Sequence, residues 1–274
     1  MTRRPALAGR RRPHPRLGQH FLADSRIAGR ILEELVCHAD DAWLEIGAGH
    51  GEMTVGLAAT GATVVAVERD PKLAAALRAR LAGFPRARVV EGDILATRLD
   101  TLARESGVAR WRVYGNLPYY ITSPILQRLF AALELIRDIH VVMQREVAER
   151  VAARPGTRAY GYLSVLAQFY TRPEILMPIP RGAFRPPPKV ESALVWLAPP
   201  GARAALGVED AGAFLRFVGA CFRQKRKTLL NNLRGLHGAE GVAAALATAG
   251  FGSRARARAE ELSLDQFARL FRLL

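Results

Sequence analysis

Helical and extended patterns of apolar residues alternate along the first two thirds of the chain. Apolar residues at helical spacing predict a first helix from residue 25 to about residue 38. Short runs rich in β-branched residues predict strands, and amphipathic segments between them predict helices. The predicted strands are 42–46, 63–67, 88–90, 111–114 and 139–143, and helices are predicted over 53–59 and 71–81. A further helix is predicted to begin with Ser123 as its cap and Pro124 in its first turn. This alternation predicts an α/β fold in which a parallel sheet carries helices on both faces.

The last third of the chain has a different pattern. Two more strands are predicted near 175–179 and 193–197, and the sequence after Pro199-Pro200-Gly201 is wholly helical in pattern. Four helices are expected there, near 208–223, 225–235, 239–249 and 263–273. The Pro-Pro-Gly break predicts a boundary between a large domain over 17–200 and a small all-α domain over 201–274, preceded by a basic arm over 1–16.

Charge and composition restrict the partners. The 274 residues include 40 Lys and Arg against 25 Asp and Glu, a net charge of +15, and half of the residues are hydrophobic. A protein this basic usually binds a polyanion, which could be a nucleic acid or a membrane surface. The sequence has no apolar run of membrane-spanning length and no signal-peptide pattern, and its two cysteines lack metal-ligand spacing. We therefore expect a cytoplasmic protein with no metal and no membrane partner.

A glycine-rich loop follows the first predicted strand. Gly47, Gly49 and Gly51 alternate with other residues there, and glycine lets the backbone approach a ligand closely. The second strand ends at Glu68 and the third is followed by Asp93. Because the carboxyl ends of parallel strands meet at one edge, these residues are expected to form one site, with Glu68 binding ribose hydroxyls and Asp93 accepting from an adenine amino group.

Two features favour S-adenosylmethionine over a dinucleotide in this site. The glycine spacing is Gly-x-Gly-x-Gly and not the Gly-x-Gly-x-x-Gly of dinucleotide-binding loops. The fourth strand also ends in a motif suited to binding an amine, for which a hydride carrier has no use. The sequence therefore predicts S-adenosylmethionine as methyl donor, with S-adenosylhomocysteine as product, in a Rossmann-like class I S-adenosylmethionine-dependent methyltransferase domain.

The amine-binding motif is the tetrad Asn116-Leu117-Pro118-Tyr119. The side-chain carbonyl of Asn116 and the backbone carbonyl of Leu117 can each accept one N–H bond from an exocyclic amine such as adenine N6. Pro118 stiffens the turn, and Tyr119 offers an aromatic face to an extruded base. A plain strand-to-helix turn is the alternative interpretation, since Asn and Pro are common turn formers.

Basic runs indicate where RNA would bind. One run lies in the C-terminal part and the other in the arm, and both could equally be solvated faces. With the overall charge of the chain, phosphate contact is the favoured interpretation. The predicted contacts are Arg223, Lys225, Arg226 and Lys227, together with Arg10, Arg11, Arg12 and Arg16.

With these residues identified, nearly the whole chain resembles the KsgA/RsmA family, whose members dimethylate two adjacent adenines near the 3′ end of 16S rRNA. The resemblance rests on the glycine loop, Glu68, Asp93 and the tetrad, and on four further groups of motifs. These are Leu17-Gly-Gln-His-Phe-Leu22, Gln144-Arg-Glu-Val147 with Tyr160-Gly-Tyr-Leu-Ser164, Phe184-Arg-Pro-Pro-Pro-Lys-Val-Glu-Ser192, and Gln224-Lys-Arg-Lys-Thr228.

The resemblance implies roles for particular residues. His20, Leu22, Gly47, Glu68, Asp93 and Asn116 stand at the family's S-adenosylmethionine contacts. Tyr119 and Phe184 stand where the family is expected to sandwich the target adenine. Two positions depart from the family pattern, since His20 and Tyr120 both replace a usual Asn.

Several other functions share parts of this pattern. An Erm-type 23S rRNA adenine methyltransferase shares the fold and the tetrad, but the Pro-Pro-Pro-Lys-Val-Glu-Ser stretch over 186–192 and the Gln-Lys-Arg-Lys-Thr motif over 224–228 point away from it. A DNA adenine-N6 methyltransferase would need a larger recognition domain, and a non-catalytic assembly factor would not need the tetrad. The favoured hypothesis is a monomeric 16S rRNA dimethyltransferase that acts on the pre-30S small subunit.

Overall fold

The computed structural model describes residues 20–251 and 256–274. The predicted basic arm, with Arg10, Arg11, Arg12 and Arg16, lies outside the described residues. No helix in the described ranges is long and apolar enough to cross a membrane.

Within the described chain, seven strands form the main sheet and two short strands form a small antiparallel ribbon. The strands are β1 (Phe21–Leu22), β2 (Ala42–Ile46), β3 (Thr63–Glu68), β4 (Ala87–Glu91), β5 (Trp111–Asn116), β6 (Ile136–Gln144), β7 (Arg172–Ile179), β8 (Phe184–Arg185) and β9 (Ser192–Ala198). The order in the main sheet is β4-β3-β2-β5-β6-β9-β7, and β1 pairs with β8.

The helices connect the parallel strands and continue into the C-terminal part. They are α1 (Ser25–Leu35), α2 (Glu52–Ala59), α3 (Pro71–Arg80), α4 (Leu99–Glu105), α5 (Thr122–Phe130), α6 (Arg145–Val151), α7 (Tyr162–Tyr170), α8 (Ala211–Cys221), α9 (Leu229–His237), α10 (Ala239–Leu246) and α11 (Leu264–Leu273). The α/β class is as predicted from the alternating pattern.

The strand directions differ from the prediction at one side of the sheet. β4, β3, β2, β5 and β6 are parallel, as expected, whereas β9 runs antiparallel to both β6 and β7. The loop from β7 to β9 has no crossover helix, and a parallel pair would need one. The five parallel strands still bring their carboxyl ends to one edge.

The start of α5 also differs from the prediction. Its N-cap is Ile121, and Ser123 lies inside the helix. The hydroxyl of Thr122 donates to the Pro118 carbonyl at 3.2 Å, and the Ile121 N–H donates to the same oxygen at 3.1 Å. These bonds close a turn directly after the tetrad, so the helix begins two residues earlier than a Ser123 cap would allow.

Successive residues of the central strands pack on opposite faces of the sheet, as strand geometry requires. Leu44 and Val65 contribute to one apolar cluster, whereas Trp43 and Val64 contribute to the other. All four are fully buried. The central strands of the sheet are therefore covered on both faces.

The C-terminal helices share a core with the larger part of the chain. Their apolar cluster includes Tyr160 and the α7 residues Val165 and Phe169. The backbone N–H of Gly201 donates to the Tyr170 carbonyl at 2.9 Å, and a Cβ at Gly201 would lie only 2.4 Å from the Thr171 nitrogen. The predicted division after residue 200 stays a prediction, and the C-terminal helices pack against the larger part of the chain at α7.

A buried ionic cluster stands at the amino end of β5, opposite the edge where Asn116 lies. Arg112 donates to Asp41 at 2.8 Å and to Asp138 at 3.2 Å, and it also donates to the Leu35 carbonyl at 2.8 Å. Its guanidinium carbon lies 4.3 Å from the centre of the Trp43 ring. The cluster joins the end of α1 to the sheet and so anchors the helix that follows the His20 segment.

The cluster predicts an acid sensitivity that can be measured. Burial alone would raise the pKa of Asp138, but the His140 ring 3.5 Å away and the Arg112 charge outweigh it and hold this pKa below its ordinary value. A carboxyl group whose pKa is lowered by folding stabilises the folded state at pH values above its unfolded-state pKa. This contribution to the free energy of unfolding is lost as the pH falls below about 4. We expect Asp138→Asn to lower the free energy of unfolding by about 2 kcal/mol at pH 7, with the difference shrinking at pH 3. Urea unfolding at both values tests this, and a difference that is constant with pH would contradict it.

Candidate active site

A cavity opens at the carboxyl edge of the parallel strands. It is lined by residues at or just after the carboxyl ends of β2, β3, β4 and β5, namely Gly47, Glu68, Asp93 and Asn116, and by His20 and Phe21 from the segment beside β8. The remaining tetrad residues form another part of its wall. The structure therefore brings together most of the residues that the sequence predicted for one site.

The glycine loop leaves space for a ligand. Gly47 has a φ of +70°, and a Cβ built there would meet nothing within 4 Å, so its backbone borders open space. Gly49 has a φ of +57°, and a Cβ there would come within 2.8 Å of the Phe21 ring. The Phe21 ring in turn lies 4.5 Å from the His50 ring. The loop thus requires glycine both for its conformation and for the close approach of Phe21.

Glu68 is held in place by backbone hydrogen bonds. One carboxylate oxygen accepts from the Gly49 N–H and the other from the Asp70 N–H, both at 2.8 Å. Each carboxylate oxygen has a second lone pair, so two hydroxyl donors can still be accepted from the cavity. The residue is 2% exposed, and its orientation is fixed before any ligand binds.

Asp93 is arranged in a similar way at the next strand. One of its oxygens accepts from the Leu95 N–H at 2.9 Å, and the other lies 3.6 Å from the Arg69 guanidinium. Spare acceptor capacity on this carboxylate suits an amino group. With open space at Gly47 and acceptors at Glu68 and Asp93, the residues present fit the nucleoside half of S-adenosylmethionine.

A hydrogen bond fixes the orientation of the Asn116 amide. Its Nδ2 donates to the backbone carbonyl of His20 at 2.8 Å, which directs Oδ1 to the other side of the amide. Among the described residues, neither this Oδ1 nor the Leu117 carbonyl oxygen accepts a hydrogen bond of the turn. The His20 ring is itself tied down, since its Nδ1 lies 2.8 Å from the Pro186 carbonyl and must be the donor. Asn116 therefore presents a fixed acceptor to the cavity.

Tyr119 is fixed at its hydroxyl. The phenol oxygen lies 2.9 Å from Oγ of Ser192, the first residue of β9. Burial raises the pKa of Tyr119, so the phenol stays neutral, and its ring centre is 5.6 Å from that of His20. The ring is half-buried and lines the cavity, as a surface for a stacked base should.

Three predicted residues do not line the cavity. Leu22 is buried, and Gly49 acts through its N–H bond to Glu68. Phe184 is fully buried, with 0% of its surface exposed, and pairs with Leu22 between β1 and β8. Because an enclosed ring offers no face to a base, the predicted stacking on Phe184 is not met in this arrangement, and Phe184 serves the core.

Sequence reasoning missed several residues of the cavity wall. Arg69 and Ile94 directly follow residues that were predicted, and Phe21 lies between the predicted His20 and Leu22. Tyr120 was noted only as a departure from the family pattern, yet it lines the cavity and is 56% exposed. Each of the four residues is adjacent in the sequence to a predicted contact, and this adjacency is the signal that could have identified them.

A buried acid lies behind the glycine loop. Burial raises the pKa of Glu45 to about 8, and the neighbouring Glu68 charge adds to the effect. Glu45 is therefore mostly protonated at neutral pH. Glu68 and Asp93 are the carboxylates that line the cavity itself.

The predicted RNA contacts of the C-terminal part lie in a turn and not at the start of a helix. Arg223, Lys225, Arg226 and Lys227 lie between α8 and α9. All four are exposed, and none forms an ion pair within the described ranges. The Lys225 ammonium donates to the Arg158 carbonyl at 2.9 Å. The four side chains of this basic turn are exposed, and their contact with RNA phosphates stays a prediction.

The fold and the cavity define a Rossmann-like class I S-adenosylmethionine-dependent methyltransferase. A family model described as "Ribosomal RNA adenine dimethylase" matches residues 10–274. The chain belongs to this family. Its cofactor is accordingly S-adenosylmethionine.

Individual relatives agree with that assignment. The chain is 41% identical to "Ribosomal RNA small subunit methyltransferase A" of Koribacter versatilis, over 97% of this chain and 98% of the relative. Among solved structures, a dimethyladenosine transferase from Plasmodium falciparum has a TM-score of 0.78 at 23% identity, covers 92% of this chain and 96% of its own, and supports the fold. The 23S rRNA methyltransferase ErmE has a TM-score of 0.69 at 29% identity, with 93% and 99% covered.

Proposed function

We propose that this protein transfers methyl groups from S-adenosylmethionine to N6 of two adjacent adenines near the 3′ end of 16S rRNA. The observation that carries the proposal is the fixed Asn116 amide, whose Oδ1 acceptor borders the same cavity as Glu68 and Asp93. The name of the Koribacter relative supports the small subunit as the source of the RNA. Such a substrate would be met in the cytoplasm on the pre-30S particle, and we expect the enzyme to act as a monomer.

The donor would be held by residues of the sheet edge. Glu68 would accept the ribose hydroxyls and Asp93 the adenine amino group, while Gly47 allows close backbone approach. When bound, S-adenosylmethionine supplies an electrophilic methyl group on a positively charged sulfur.

The chain acts on the target mainly by positioning it. Asn116 Oδ1 and the Leu117 carbonyl accept the two N6 hydrogens, which directs the nitrogen lone pair toward the donor. Tyr119 stacks on the extruded base. Bound at the sheet edge, the donor would supply its methyl group to N6 with its sulfur as the leaving group, and the methylated amine would then release a proton to solvent. No covalent enzyme intermediate is required.

The second transfer on each adenine imposes a further requirement. Once N6 carries a methyl group, only one hydrogen remains for the two acceptors, so the methyl must lie where the other hydrogen was held. The cavity wall includes the apolar residues Ile121 and Ile125, and apolar side chains suit contact with a methyl group. The same cavity can therefore serve both transfers.

Labelled methyl donor distinguishes the candidate functions. Undermethylated small subunits and 23S rRNA are each incubated with the protein and labelled S-adenosylmethionine, and the label is located by primer extension. The proposal predicts label on two adjacent adenines near the 3′ end of 16S rRNA. The structural likeness to ErmE makes a 23S product the alternative outcome, which would overturn the choice of substrate.

RNA binding should depend steeply on salt through the basic turn. We expect replacing Arg223, Lys225, Arg226 and Lys227 together by Ala to reduce the slope of log K against log salt by about 3, at roughly 0.7 to 0.9 per lost phosphate contact. Filter binding to small-subunit rRNA over a range of salt measures this slope.

A matched control uses arginines that are already paired. Arg98 and Arg104 both contact Asp100 on α4. We expect replacing these two by Ala to leave the slope within experimental error. An unchanged slope in the basic-turn variant would show that this turn does not contact RNA phosphates.

A further inference from the structure

A large aromatic ring is exposed at the rim of the active-site cavity. Tyr120 is 56% exposed, and it is the one exposed large hydrophobic residue among the described residues that also lines the cavity. Its neighbour Tyr119 is half-buried and held by Ser192. Tyr120 has no such hydrogen bond within the described ranges. An exposed apolar ring beside a binding cavity indicates a contact surface, and a bound substrate would cover it.

The two tyrosines are consecutive in the chain, and both line the cavity. If Tyr119 receives the extruded adenine, the nucleotide joined to it must pass the rim where Tyr120 lies. Aromatic rings accept any base face, and they stack best on the large face of a purine.

We propose that Tyr120 stacks on the unpaired base adjoining the target adenine and so holds the second adenine of the pair at the cavity mouth. This inference rests on the proposed function. It assigns the two consecutive rings to two consecutive bases, with the half-buried Tyr119 ring for the target base and the exposed Tyr120 ring for its neighbour. The second adenine then needs only a short movement to replace the first.

Tyr120 variants and undermethylated small subunits test the proposal. Loss of one base stack corresponds to roughly a tenfold fall in kcat/KM for Tyr120→Ala. Tyr120→Asn should fall similarly because it has no aromatic face, whereas Tyr120→Phe should restore the rate. We also expect Tyr120→Ala to accumulate particles methylated on only one of the two adenines.

Two controls separate this role from others. The affinity for S-adenosylhomocysteine and the thermal midpoint should be unchanged in Tyr120→Ala, since the ring is exposed. If wild-type protein modifies the particles and Tyr120→Ala matches its rate, this inference fails while the proposed function stands. If the variant loses rate only because donor binding weakens, Tyr120 belongs to the donor site and the inference is overturned. If wild-type protein modifies no adenine at all, the proposed function itself fails.

Discussion

Asn116→Ala is expected to lower kcat for methyl transfer by roughly 100- to 1,000-fold, the usual loss when one aligned transition-state hydrogen bond is removed. The variant loses the Oδ1 acceptor for the N6 hydrogen and also the 2.8 Å bond that joins Asn116 to the His20 carbonyl. Single-turnover methyl transfer to undermethylated small subunits measures the effect. Affinity for S-adenosylhomocysteine should change much less, because Glu68 and Asp93 remain.

Asn116→Asp is the matched control for that experiment. It keeps the Oδ1 acceptor but has a second oxygen in place of the amide donor to the His20 carbonyl, so we expect it to retain more activity than the Ala variant. A rate in Asn116→Ala close to that of wild type would show that Asn116 does not hold the reacting amine. Equal losses in both variants would assign the residue to holding the His20 segment instead.

Glu68→Gln is expected to weaken donor binding roughly 10- to 100-fold, as expected when one or two hydrogen bonds to a charged group are lost. One carboxylate oxygen becomes an amide NH₂ that faces a backbone N–H, either that of Gly49 or that of Asp70. The substitution therefore disturbs the glycine loop as well as the ribose contact. Calorimetric titration with S-adenosylhomocysteine measures the affinity, and kcat at saturating donor should fall much less.

The control for Glu68 is its partner in the neighbouring strand. Glu91 pairs with Glu68 in the β3–β4 register but is exposed and lies 3.5 Å from Arg78. Glu91→Gln should leave donor affinity unchanged. If both Gln variants bind the donor as tightly as wild type, Glu68 does not contact the ribose.

The parts of the fold that were predictable are those with local signals. Val64 and Val65 are β-branched and follow a glycine turn, so the strand that contains them is evident from local pattern alone. The edge residues Glu68 and Asp93 could be predicted because parallel strands align their carboxyl ends. The helices α4, α6 and α7 carried weaker patterns and were not predicted.

The features that were not predicted depend on contacts between distant residues. The antiparallel direction of β9 is decided by the connection across Phe184 and by its pairing with β6. The burial of Phe184 follows from pairing with Leu22, 162 positions earlier in the chain. Likewise, the bond from Asn116 to the His20 carbonyl joins residues 96 positions apart. No local pattern encodes such partners.

A crystal structure of the complex with S-adenosylhomocysteine would locate the donor site directly. We expect the ribose hydroxyls within hydrogen-bonding distance of Glu68, the adenine amino group near Asp93, and the sulfur facing the Asn116 side chain. A ligand bound away from this sheet edge, with the 116–119 turn closed to it, would show that this edge is not the site of methyl transfer.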